Sequence, residues 1–194
     1  MDKKVIYENI YKNRFLIISC VVLVFGTIFG TSMLKIIPEE ICENFYGFVS
    51  KQSLDLFNVF INRFSLPFII LLFLYFSGTS LLGMFSALAA VFISGFFFGF
   101  ENSINYKFSG MDYVINSLVL YFTSAVFMNF MIIVMAENSI FSSKQLHNIV
   151  SNKNPEKSHY NAKNLSVKFL TFTIFTALIS LISAGFSLFI QSVL

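Results

Sequence analysis

Three residues stand out as able to do chemistry in an otherwise apolar chain: Glu101, Asp112 and Asn129. An ionisable or amide side chain inside a bilayer needs a partner, and it marks an ion path, a relay or a ligand site by default. Glu101 and Asp112 each end or begin a charge-free run, so they are expected near an interface. There Asp112 also suits a helix N-terminus. Asn129 lies well inside a run and is expected to hydrogen-bond within the bundle. No charge-free run carries Asp, Glu, Lys, Arg or His at its middle, as an ion-coupled transporter would require.

Other chemistries lack their residues. His147 and His159 have no companions at ligand spacing, and no Cys/His cluster suggests a metal. HExxH, paired intramembrane aspartates, GxSxG and the Walker pattern are all missing, so neither hydrolysis nor nucleotide binding is expected from this chain. No cofactor is expected. Cys20 and Cys42 fall at different depths and are not expected to pair.

The elements that hold these residues follow from composition. Of 194 residues, 56% are hydrophobic and 12% charged, against about a quarter charged in a soluble domain. Lipid must be the solvent. The stretches Phe15–Leu34, Phe64–Phe100, Tyr113–Ala136 and Phe169–Leu194 are free of charge. A span takes about 20 residues, so the second run holds two helices turning near Gly83. The expected fold is all-α: a polytopic integral membrane protein, one transmembrane domain over 1–194. It has five helices at about 15–34, 64–83, 85–103, 112–136 and 167–192, the second and third forming a tight hairpin.

Orientation follows from the basic residues. Nine (Lys3, Lys4, Lys12, Arg14, Lys144, Lys153, Lys157, Lys163 and Lys168) fall in segments expected inside. Four (Lys35, Lys51, Arg63 and Lys107) fall outside. That bias places the N-terminus in the cytoplasm and the C-terminus outside a bacterial cell membrane. The net charge of +3 reflects topology and anionic headgroups rather than nucleic acid. Phe15–Leu34 is expected to be a retained anchor.

Two connectors have substance. The outer segment 35–63 opens with Pro38, Glu39 and Glu40, a good helix start. Ile41, Phe45, Phe48 and Val49 share one face of a first amphipathic helix. Phe57, Phe60 and Ile61 mark a second, and Glu43, Lys51 and Asp55 the wet edge. The segment is expected either to lie on the membrane surface or to dock a partner. The inner segment 137–166 is polar and reads as a solvated loop, with a short helix at 142–150.

Glycines repeat at intervals of four: Gly26 with Gly30, and Gly95 with Gly99. Small rows continue at Ser86, Ala90 and Ser94, and at Thr176, Ser180 and Ala184. Such spacing lets membrane helices approach closely. The sequence leaves open whether the seams join helices of one chain or of two. It makes "FISGFFFGF" (Phe92–Phe100) a spanning helix with one smooth face.

Over about residues 15–136 this order resembles the stage II sporulation protein M family. The resemblance rests on Ile28–Gly30 ending the first helix, "PEEICENFYGFVS", "FSGTSLLGMFSALAAVFISGFFFGF" with Gly78, Gly83, Gly95 and Gly99, and "SAVFMNFMIIVMA" with Asn129. The chain departs from the family in having Met84 after Gly83, Met128 before Asn129 and Ser94 before Gly95. The resemblance implies a non-enzymatic scaffold that holds extracytoplasmic partners, such as peptidoglycan-degrading hydrolases, at the membrane. It also admits a permease-like subunit working with a separate ATPase. Expected partners are therefore membrane lipid, other membrane proteins or extracytoplasmic hydrolases, and an ATPase subunit on the second reading.

Overall fold

The computed structural model describes residues 14–50, 55–151 and 162–193, with side chains described except at 47–50, 109–123, 187 and 189–193. Among the described residues there are five α-helices: α1 (Arg14–Met33), α2 (Glu39–Ser50), α3 (Leu56–Gly78), α4 (Gly83–Val150) and α5 (Ala162–Val193). Five segments are long and apolar enough to cross a membrane: Arg14–Met33, Leu56–Gly78, Gly83–Phe108, Ser124–Val150 and Ala162–Phe186. The chain is an all-α polytopic membrane protein.

α4 contributes two of those segments. Its helical hydrogen bonding runs through 68 residues, which would measure about 100 Å if straight. Yet Ser94 touches Asn129, and these would stand about 52 Å apart on a straight helix. α4 therefore doubles back, and the reversal lies between Glu101 and Ser124, which line one cavity together. The first arm, Gly83–Phe108, and the second, Ser124–Val150, run antiparallel.

This corrects the expected boundaries. Residues 101–112 are helical rather than a connecting segment, and Asp112 sits within α4, its side chain outside the described set. Among the described residues, Ser124–Val150 is apolar enough to span, and it carries the expected fourth span beyond Ala136. Glu137 does not end it, because Ser139, Ile140 and Ser143 beyond it are buried. Ser139 Oγ donates to the Leu74 carbonyl at 2.7 Å, and Ser143 Oγ to the Ser80 carbonyl at 2.7 Å. Those bonds tie the second arm to the turn between α3 and α4. Residues 137–150 are thus helix packed into the bundle rather than a solvated loop, and 152–161 of the expected inner loop lie outside the described residues.

The α3–α4 turn occupies Thr79–Leu82, and Gly83 opens α4 rather than forming the turn. Gly83 is required by close approach: a β-carbon there would be driven into the Ser77 carbonyl oxygen. Gly78 lets Leu165 of α5 and the Ser139 backbone close on α3. The core gathers Leu71 and Leu74 of α3, Ala87 and Val91 of the first arm, Met135 and Ile140 of the second, and Leu165 of α5. Ile17, Val21, Val24, Phe25 and Ile28 of α1 are exposed; on a spanning helix that face meets lipid.

α1 packs along α4 more extensively than any other pair of helices. Gly26 and Gly30 lie against the backbone of Phe92 and Phe96, and Gly95 and Gly99 against that of Leu23 and Thr27. The two glycine pairs thus form a single seam within the chain. Residue numbers rise together on its two sides, so α1 and the first arm are parallel. Glycine Cα hydrogens face carbonyl oxygens there, a weak but repeated attraction. Phe29 closes the edge against Phe92 and Phe96, with ring centroids 6.0 Å apart in both pairs.

Candidate functional site

One end of the bundle carries the α3–α4 turn; the other carries α2. At the α2 end, α3, both arms of α4 and Phe45 of α2 enclose a cavity of about 400 Å³. Its floor and walls are apolar: Leu66, Pro67 and Ile70 from α3, Phe97 and Phe98 from the first arm, Met128 and Ile132 from the second. Its polar groups converge from the same helices. Asn62, Arg63 and Ser65 come from α3, Ser94 and Glu101 from the first arm, and Ser124 and Asn129 from the second.

α3 begins where Asp55 accepts a hydrogen bond from the Phe57 amide at 3.3 Å, capping the helix. Starting at Leu56, it carries Arg63 two turns inward, about 22 Å along the helix from Gly78. Glu101 stands about 27 Å from Gly83 on the first arm. The turn thus brings a cation and a carboxylate to similar depth, where both line the cavity. Arg63 is held from behind, since its Nη1 donates to Ser183 Oγ of α5. Ser183 Oγ in turn donates to Ser124 Oγ at 3.2 Å. Glu101 and Arg63 therefore line one cavity from two neighbouring helices, and Arg63 lies in α3 rather than in a connector.

Pro67 sits inside the continuous helix α3. Proline has no amide hydrogen, so the Arg63 carbonyl, four residues earlier, does not receive its usual helical bond. Irregular backbone of this kind is tolerated at membrane depth where it lines a cavity.

Deeper in, Ser94 Oγ donates to Asn129 Oδ1 at 2.6 Å, and Asn129 Nδ2 donates to the Ala125 carbonyl at 3.0 Å. The amide links the two arms across the cavity wall. Bundle hydrogen bonds of this kind average about 0.6 kcal/mol. Asn129→Leu should therefore lower unfolding stability only mildly. A double-mutant cycle with Ser94→Ala should return a coupling of that size; zero coupling would show that the bond contributes nothing.

The candidate partner surface is divided by the structure. In α2, Cys42 is fully buried, Phe45 packs on Phe100 with ring centroids 5.4 Å apart, and Tyr46 stacks on Phe108 at 5.0 Å. Lys107 pairs with Glu39 at 2.7 Å; that hydrogen bond and charge hold the Glu39 carboxyl below its usual range. The inward face is thus Cys42, Phe45 and Tyr46, and Ile41 of the expected apolar face is 55% exposed. Glu43 is exposed on the wet edge. The expected second amphipathic helix is the beginning of α3, with Val59 buried and Phe57 and Ile61 exposed. Asp55 serves as its cap. Phe48's side chain and Lys51 lie outside the described residues.

Among the described residues no group of three or more His, Cys, Asp or Glu could hold a metal. Comparison with protein-family models, with curated proteins and with solved structures finds no match in any of the three.

Proposed function

We propose that this protein is a non-enzymatic, permease-like subunit of a bacterial cell membrane, whose working part is the cavity at the α2 end. The carrying observation is Arg63 and Glu101 facing that cavity from spanning helices. Charges there are costly unless they serve a path or a ligand. The sequence argued for a scaffold partly because it displayed no such pair. A separate ATPase subunit would supply any energy, since the chain has no nucleotide motif.

The test is access. In a chain with Cys20→Ala and Cys42→Ala, a cysteine at Ser65 should react with a membrane-impermeant thiol reagent added to intact cells. A cysteine at Ile28, on the lipid face of α1, should stay silent. An unreactive Ser65→Cys in a folded protein would reject the cavity as a route for anything from outside.

The α2 end is taken to face outward. Arg14, Lys144, Lys163 and Lys168 gather toward the opposite end, near the α3–α4 turn, with Lys144 5.7 Å from the Phe15 ring. Basic residues favour the cytoplasmic side. A reporter fused after Leu194 should be active only as an extracytoplasmic enzyme; cytoplasmic activity would reverse the assignment.

A second reading, a scaffold like stage II sporulation protein M, is favoured by α2 itself. Its inner face is pinned to the bundle, while Glu40, Ile41 and Glu43 are exposed. Reversing Glu40 and Glu43 should spare folding, because neither side chain is buried. Loss of a co-purifying wall hydrolase in that variant would support the scaffold.

A further inference from the structure

We propose that the cavity takes a small amphiphilic zwitterion, one that carries an ammonium and an anionic group at one end and an apolar group at the other. The inference rests on the cavity being a ligand site, and three features define the ligand.

The first is charge. Arg63 and Glu101 are the two charged residues of the lining, and their charges cancel. A ligand with one net charge would leave that charge uncompensated in a site of low dielectric. A zwitterion brings both signs, an anionic group for Arg63 and an ammonium for Glu101. Arg63 suits the anionic group because a guanidinium presents several donors in one plane. With Nη1 committed to Ser183 and Ser183 linked to Ser124, the guanidinium is tethered on its α5 side.

The second is the gradient along the cavity. Seven residues separate Arg63 from Ile70, and seven separate Glu101 from Ser94. The site thus extends about 10 Å inward from the charged level. Leu66, Pro67, Phe97, Met128 and Ile132 line that descent, and Ser94 and Asn129 at its foot are bonded to each other, which suits a short apolar group.

The third is size. About 400 Å³ lies at the low end of small-molecule sites, about 300–1,000 Å³, and is too small for a peptide. Two sources share this chemistry: an apolar α-amino acid from outside, and the headgroup end of phosphatidylethanolamine from the surrounding leaflet.

The experiment uses the full chain purified in a maltoside detergent. The probes are L-leucine and dihexanoyl phosphatidylethanolamine, with hexanoate and hexylamine as single-charge controls. Binding is read by calorimetry and by the shift in unfolding midpoint. At least one zwitterion should bind saturably and at least tenfold more tightly than either control. Leucine alone would identify a solute, and the short lipid alone a membrane source. Ala125→Leu, which fills the cavity while keeping both charges, should abolish the shift. Glu101→Gln should lower zwitterion affinity tenfold or more and improve that of hexanoate. The proposal is overturned if neither zwitterion binds, if hexanoate or hexylamine binds as well, or if Ala125→Leu binds like the native chain. A reactive Ser65→Cys beside absent zwitterion binding would leave the permease reading standing and remove only this ligand class.

Discussion

Replacing Gly26 or Gly95 with alanine is expected to push α1 off α4 and to lower stability by about 1–3 kcal/mol, with leucine worse. A β-carbon at Gly26 would be driven into the Phe92 carbonyl oxygen, and one at Gly95 into that of Leu23. Both obstacles are backbone, so no rotamer change relieves the overlap. Interior packing is too dense to absorb it nearby. Gly185 supplies the control. It too lies in a helix, but nothing stands within 4 Å of its would-be β-carbon. Gly185→Ala should be neutral or slightly stabilising, because alanine is the better helix former. The measurement is thermal unfolding in detergent for all three variants. Gly26→Ala and Gly95→Ala unfolding at the same temperature as Gly185→Ala would show that the seam is not a close contact. The double variant should cost less than the sum of the singles, since one separation relieves both overlaps.

Removing one member of the Arg63–Glu101 pair should be more damaging than removing both. Glu101→Leu strands a guanidinium among apolar walls, and Arg63→Met strands a carboxylate. Both groups are half-buried, so each single loss should cost about 1–3 kcal/mol, less than for a fully buried pair. The double replacement leaves no orphaned charge, and its cost should fall well below the sum. The double variant should also fail to bind any zwitterion, which separates restored folding from restored function. If the singles and the double are equally mild, the two groups reach water independently and the cavity is wetter than its lining suggests.

Much of this architecture was legible in the sequence because the bilayer imposes a simple rule. The charge-free run from Phe64 to Phe100 needed two helices, and the chain turns at Thr79–Leu82. Pro38 and the two glutamates after it announced α2, whose first helical amides bond back to the Pro38 carbonyl. What failed was the use of charge as a boundary marker. Glu137 looked like an exit from the membrane. Yet the polar residues just beyond it are satisfied within the bundle: Ser139 and Ser143 by backbone carbonyls, and Asn138 by the Lys168 ammonium at 2.6 Å. Periodicity showed that Gly26 and Gly95 lie on smooth faces but not that those faces meet, because helix pairing is non-local. Glu101 stands out in the sequence but is expected alone at an interface, and Arg63 counts there only as an outer basic residue, for the same reason. Each stood at the edge of a run and was read alone. The signal was available: two helices turning between residues 79 and 82 place positions about twenty residues to either side at similar depth.

The parallel seam also fixes an order of assembly. α1 leaves the ribosome before α4, and the backbone it must lie against at Phe92 is about 66 residues later in the chain, roughly 3–13 s at ordinary synthesis rates. Until then α1 waits in the lipid with its glycine face uncovered, while α3 is made and inserted. A bare face of small residues can meet another copy of itself as readily as its proper partner. Slowing translation between residues 60 and 90 should therefore raise the yield of α1-linked dimers.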